Sequence, residues 1–484
     1  LEETRRTRAR ALTLNVIAMV VGKAAAVIVG LTALALLTRH LGPAGFGEYR
    51  TVLTFIGFAV MFADLGLRTV VLREISKPDS EPSLVIGAGL SLRLISVSVM
   101  AIVGAAIGLF MPYTKVVQVG LLLGGFYYVL FYGSMFFWAV FLRHLRQGQL
   151  MLAETTGGFV MLCGVVIAMV LDLGVFAMLM ALVAGGLAQF TLSWYMAAKL
   201  QPFQIAVNKR VWGDLVRMGL SLAGSEIAIF AMLRGDILIL SIIDTSASVG
   251  LYGVPSKIFE ILGSLSALFS GMIMPFFVVA LANAARDQLK QILANALDVM
   301  FVFGVGVVVC CSAYAPEVLT LIAGAKFVPA APALIFVSLA IASYALSQPY
   351  RQLLFAMNLQ HRVLRVDLGC LALAATVYLI LIPRFSYVGA GIGTAIVETT
   401  LAVALALTLR REGVSGLIPP SWWKIVLAGI VAVVAMRGLS FLRWPWFLAM
   451  VSGGAVYLGI LVAIGAIPIA YLREVVKNRK SPPE

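Results

Sequence analysis

The chain reads as long apolar stretches separated by short polar breaks. A helix needs about 20 apolar residues to cross about 30 Å of hydrocarbon. Scanned with that window, the pattern predicts about fourteen membrane-spanning helices, near 12–38, 46–67, 84–110, 116–142, 151–171, 174–198, 213–243, 250–281, 292–313, 332–357, 364–382, 386–409, 424–441 and 445–470. Two breaks are very short: Asp172-Leu173-Gly174 between the fifth and sixth spans, and Pro383-Arg384-Phe385-Ser386 between the eleventh and twelfth. No connection exceeds roughly twenty residues, which leaves no room for a soluble catalytic domain. The expected class is an all-α polytopic membrane protein.

Composition sharpens that expectation. Of 484 residues, 61% are hydrophobic and 12% charged, against about 45–50% and about 25% in soluble domains. A soluble enzyme is excluded, because there is too little polar surface to face water. The net charge of +14 comes from 36 Lys and Arg against 22 acids. The bases are scattered, so no nucleic-acid partner is implied. Orientation follows from their distribution, since Lys and Arg are retained in cytoplasmic connections. With the amino terminus inside, 23 bases fall on the cytoplasmic side and 6 on the other, which places both termini in the cytoplasm. Cys163, Cys310, Cys311 and Cys370 lie in apolar runs with no metal-ligand spacing, so they read as packing residues. Without a catalytic loop or an acidic metal cluster, the expectation is movement of a substrate rather than chemistry upon it: not an enzyme, and no cofactor.

A weak internal repeat organises the spans. Gly47-Glu48-Tyr49 after the first span matches Gly250-Leu251-Tyr252 after the seventh at an offset of 203 residues, which also sets Lys23 on Glu226 and Thr38 on Ser241. Two six-helix units in the same orientation follow. The expected division is an amino-terminal lobe at 1–200, a carboxy-terminal lobe at 201–412, and two additional helices with a basic cytoplasmic tail at 413–484.

Three blocks carry a resemblance. Leu37-Thr38-Arg39-His40-Leu41-Gly42-Pro43-Ala44-Gly45-Phe46-Gly47-Glu48-Tyr49 with Asp64-Leu65-Gly66-Leu67 and Arg73-Glu74-Ile75 resembles the opening of polysaccharide-biosynthesis flippases. These are the Wzx-type members of the multidrug/oligosaccharidyl-lipid/polysaccharide (MOP) superfamily. The stretch Val318 to Pro332 resembles that family's connection between the ninth and tenth helices, and Ile382-Pro383 with Gly389-Ala390-Gly391 its approach to the twelfth. The resemblance implies two pseudo-symmetric six-helix lobes around a central cavity. It also implies transfer of an undecaprenyl pyrophosphate-linked oligosaccharide from the cytoplasmic to the outer leaflet of a bacterial inner membrane, by alternating access. Polymerase and assembly proteins are the partners it suggests, with the flippase itself a monomer. The alternative within the superfamily is a cation-coupled drug or small-molecule antiporter.

Charges inside the spans are the candidate functional groups, because an ionisable side chain at mid-span costs about 2.5–3.5 kcal/mol and normally faces a cavity or a partner. Arginine and lysine suit a pyrophosphate headgroup. Lys23 and Arg93 lie about ten residues, or about 15 Å, from a cytoplasmic end and are the expected capture residues. Arg234 and Lys257, toward the outer side, are expected to receive the headgroup before release, although Lys257 and Glu260 are spaced to pair on one helix face. Glu226, Asp298 and Glu398 are expected either to couple transport to H⁺ or Na⁺ or to form salt bridges. Arg50, Arg217 and Arg351, near span ends, are expected to anchor at the interface. The run Phe126-Tyr127-Tyr128-Val129-Leu130-Phe131-Tyr132 gives the fourth span an aromatic surface, for which ordinary helix packing is preferred over sugar stacking.

Overall fold

The computed structural model describes residues 2–63, 66–442 and 444–465. Leu1, Asp64, Leu65, Arg443 and the residues after Gly465 lie outside the described residues, as do the side chains of residues 2–21, 23, 24, 221–223, 225 and 226. The α-helices are α1 (Glu2–Val60), α2 (Leu67–Ile75), α3 (Pro82–Gly108), α4 (Lys115–Phe136), α5 (Trp138–Arg143), α6 (Gln147–Val170), α7 (Val175–Leu200), α8 (Lys209–Ile243), α9 (Ser246–Ala282), α10 (Arg286–Ala323), α11 (Ala331–Ala356), α12 (Gln360–Arg411), α13 (Trp422–Phe441) and α14 (Trp446–Ala463). No strand occurs among the described residues. In hydrocarbon, a helix satisfies its backbone within one segment.

Eleven helical stretches among the described residues are long and apolar enough to cross a membrane. Two of these, α1 and α12, are each two consecutive helices, broken at Gly42 (φ 65°) and Ser386 (φ 52°). A single left-handed residue makes each turn, and at Gly42 the absence of a Cβ makes it inexpensive. In α12 the arms run antiparallel, since Gly389 sits against the Leu381 backbone and Gly393 against the Tyr378 ring. The 35 residues of α8 also exceed what a crossing requires. Counting both arms of α1 and α12, thirteen of the expected spans fall within these stretches; the seventh corresponds to α8, which is not among them, while α2 is a short separate helix and α5 a continuation of α4.

The chain divides into two compact units, one running to Gly253 with Leu321–Phe327 added, the other comprising Val254–Thr320 and the chain from Val328 onward. In the first unit, the early arm of α1 lies along α6, with Val29 against Gly158, while Val52 in the later arm fills the space left by Gly120 and Gly124 on α4. Gly47 and Gly250 pack back to back, where a Cβ on either would strike a carbonyl oxygen of the other's helix. After α7, an extended segment runs along α3: Ser83 Oγ donates to the Pro202 carbonyl, Ser91 Oγ to Ala206, and Trp212 Nε1 to Ala88. At the opposite end, Arg39 donates to the Leu321 carbonyl at 2.7 Å, and a His40 ring nitrogen meets the Leu173 carbonyl. These contacts gather connections of the same expected parity at each end.

In the second unit, α13 and α14 dock on α10. Tyr314 Oη donates to the Met436 carbonyl at 2.8 Å and Tyr457 Oη to Val302 at 3.0 Å, over a core of Val309, Ala428, Ala432 and Leu461.

Candidate functional site

The first unit brings charged and aromatic groups together where α1, α3, α4, α6, α7 and α8 meet. Arg93 on α3 is 3% exposed. Its guanidinium stacks 4.6 Å from the Tyr132 ring centroid, and Nη1 donates to the Ala63 carbonyl at 3.4 Å. A cation over an aromatic face is attracted by the ring's electron density, and more strongly when desolvated. Tyr132 belongs to a ladder of rings on α4, in which Tyr127, Tyr128, Phe131 and Tyr132 touch at centroid distances of 5.3–6.4 Å. Half-buried Arg234 on α8 and Glu154 on α6 both lie within electrostatic reach of Tyr127. Lys23 belongs to α1 and Glu226 to α8, but both side chains lie outside the described residues.

The second unit pairs its charges more explicitly. Arg351 on α11 makes a bidentate bridge to Asp367 on α12 at 2.8 and 2.9 Å, with both residues buried. Arg351 is therefore an interior ion-pair partner rather than the expected interfacial anchor. Arg50 is likewise buried, its stem packed against Gly253, whereas Arg217 is exposed. Glu398, also buried, lies within electrostatic reach of Arg351 and Tyr344. Lys257 donates to Glu260 at 2.8 Å, the pairing that their three-residue spacing allows. The Asp298 carboxylate accepts the backbone N–H of Ser421 at 3.1 Å, immediately before α13, which ties α10 to that helix terminus.

Asp367, Glu154 and Gln189 are polar groups that the reading of intramembrane charges missed. The signal for Asp367 was available: Arg351 and Asp367 stand eight residues on either side of Leu359, so a tight helical hairpin must bring them face to face. For Glu154 and Gln189 there was no comparable symmetry, because they come together only through the packing of α6 on α7.

A multi-span helical bundle with buried charges, hinged helix pairs and no soluble domain among the described residues has the architecture of an integral membrane transporter. The chain belongs to the polysaccharide biosynthesis protein family, whose model matches residues 12–281. No curated protein matches it in sequence. Among solved structures it is similar to the lipid II flippase MurJ in an inward closed conformation, with TM-score 0.76 and 12% identity over 96% of this chain and 100% of that one. It also resembles an inward-facing multidrug resistance MATE family transporter of the MOP superfamily, with TM-score 0.65 and 14% identity over 81% of this chain and 95% of that one. A third likeness is a MOP superfamily transporter from Pyrococcus furiosus, with TM-score 0.56 and 16% identity over 84% of this chain and 96% of that one. The fold is thus that of MOP-superfamily flippases and transporters.

Proposed function

We propose that this protein is a flippase that carries a polyprenyl pyrophosphate-linked oligosaccharide from the cytoplasmic to the outer leaflet of a bacterial inner membrane. The observation that carries the reading is membership of the polysaccharide biosynthesis family over more than half the chain. A second support is the fold shared with a lipid II flippase along almost the whole length. In this reading the lobes expected at 1–200 and 201–412 alternate in access, with residues 413–484 as an added helix pair and both termini cytoplasmic. Lys23 and Arg93 receive the pyrophosphate first, and Arg93 must leave its stacking partner Tyr132 to do so. Arg234 and Lys257 act later, Lys257 after parting from Glu260. The protein works as a monomer, delivers its cargo to polymerase or assembly proteins, and draws its drive from H⁺ or Na⁺ through Glu226, Asp298 or Glu398.

Mass spectrometry of polyprenyl lipids from depleted cells, with leaflet exposure probed by an impermeant glycosidase, tests this reading. Accumulation of one completed pyrophosphate-linked oligosaccharide, shielded from the glycosidase, is the expected result. An unchanged lipid pool would leave the fold in place and move the cargo to the small molecules that the likeness to a multidrug transporter suggests.

A further inference from the structure

The first unit has a partly open cavity of about 240 Å³ between α1, α4, α6 and α7. It is smaller than the about 300–1,000 Å³ that encloses drug-sized ligands, and larger than one or two waters at about 30 Å³ each require. Tyr127 and Phe131, whose rings stack at 5.8 Å, form one wall. Glu154 and Gln189 contribute the polar groups. Gln189 is 7% exposed, and its Nε2 has no hydrogen-bond partner. An amide N–H buried without an acceptor costs about 1–3 kcal/mol, so its position on a cavity wall points to a ligand oxygen.

The chemistry of the lining narrows what that ligand is. A carboxylate accepts and the Gln189 amide nitrogen donates, whereas a hydroxyl does both. One hydroxyl can therefore donate to Glu154 while it or its neighbour accepts from Gln189, and the aromatic wall takes the apolar face of a ring. A bare cation fits less well, because it needs several oxygens. Among the described residues of the lining Glu154 is the one carboxylate, beside the Thr155 hydroxyl, which donates to the Met151 carbonyl at 2.8 Å. Glu154, in the lining, disfavours an acidic sugar.

We propose that this cavity is a carbohydrate pocket that binds one uncharged hexose ring, with Glu154 and Gln189 reading its hydroxyls against Tyr127 and Phe131. The inference rests on the reading that the cargo carries sugar, and it names where one residue of that sugar is recognised. Glycines shape the pocket. Gly157 and Gly185 meet so closely that a Cβ on either would run into the other's carbonyl oxygen, which brings α6 onto α7 and sets Gln189 in place. Gly30 is different: it lines the cavity, and a Cβ there meets nothing within 4 Å. A side chain at position 30 can therefore fill the cavity without displacing protein.

The test uses the full chain in lipid nanodiscs and reads binding of uncharged methyl hexopyranosides and of methyl glucuronide by saturation-transfer NMR. Gly30→Leu and Gln189→Leu are expected to weaken hexoside binding roughly tenfold or more. Gly369→Leu, at an equally open glycine in the other unit, is expected to leave it unchanged. Wild-type hexoside binding that survives Gly30→Leu, or glucuronide binding as strong as that of the uncharged sugars, would overturn the pocket. A protein that flips a polyprenyl pyrophosphate-linked saccharide in vesicles but saturates no hexoside would overturn the pocket and leave the flippase reading intact. Hexoside binding lost in Gly30→Leu, in a protein that flips no such lipid, would support the pocket and overturn the flippase reading.

Discussion

The two units contain cavities of opposite character. In the second unit, a cavity of about 900 Å³ is lined by α10, α11, the later arm of α12 and α13, mostly with apolar side chains. Two of its four lining hydroxyls serve each other, Ser343 Oγ and Thr399 Oγ1 sharing a hydrogen bond of 2.8 Å. The cavity of about 240 Å³ in the first unit is far smaller, yet it leaves the Gln189 amide unanswered. Size therefore says little about recognition. A cavity whose polar groups are already matched asks for no particular partner, whereas an unmatched donor on a buried wall specifies one by its chemistry.

The largest expected effect lies outside that cavity, at the second unit's buried ion pair of Arg351 and Asp367. Arg351→Leu, which strands Asp367 without its partner, is expected to cost about 3–5 kcal/mol, and adding Asp367→Leu should recover most of that. Thermal unfolding of the two variants in detergent checks it, and equal losses in the single and double variants would show that the pair is not what holds α11 to α12. At the unmatched site the sign reverses. Gln189→Leu is expected to stabilise the protein by about 1–3 kcal/mol, the cost of the buried amide, while weakening hexoside binding. A lower melting temperature would show that the amide is satisfied in the resting protein.

Smaller effects sharpen the comparison. Ser343→Ala should cost about 1 kcal/mol by leaving the Thr399 hydroxyl alone, and the double change with Thr399→Val should be nearly neutral, measured as a double-mutant cycle. Lys257→Gln should change stability by only about 0.2–0.5 kcal/mol, because its pair with Glu260 is 35% and 21% exposed and i,i+3 pairs contribute little. The weakest expected effect is a dependence on pH at His144, in the turn after α5. Burial, and then the neighbouring Arg143, hold its imidazole below the ordinary 6.5. The fold favours the neutral ring, so this contribution is complete above pH 6.5 and declines as pH falls through the depressed value. His144→Gln should flatten the melting temperature in that acidic window, and a profile identical to wild type would remove His144 from the account.

Much of the architecture was legible because a membrane imposes one period and one length on every span. Hydropathy alone predicts about fourteen spans, and the hinges at Gly42 and Ser386 fall where polar breaks interrupt the apolar runs. Sequence spacing also offered two pairings: Lys257 with Glu260, which is within one helix, and Arg351 with Asp367, which a hairpin enforces. The first was read and the second was not, since Arg351 near a span end looked like an interfacial anchor. Arg50 went the same way, because depth along a helix says nothing about which side of it faces a neighbour.

The sequence by itself determined the class of protein and the family, both of which depend on local runs of residues and short motifs. Only the tertiary structure decided which polar groups meet. Glu154 and Gln189 are thirty-five residues apart on different helices, and nothing in either helix requires them to share a cavity. They do so because glycines on α6 and α7 let two backbones approach, and close packing of this kind is a property of paired surfaces rather than of either sequence run.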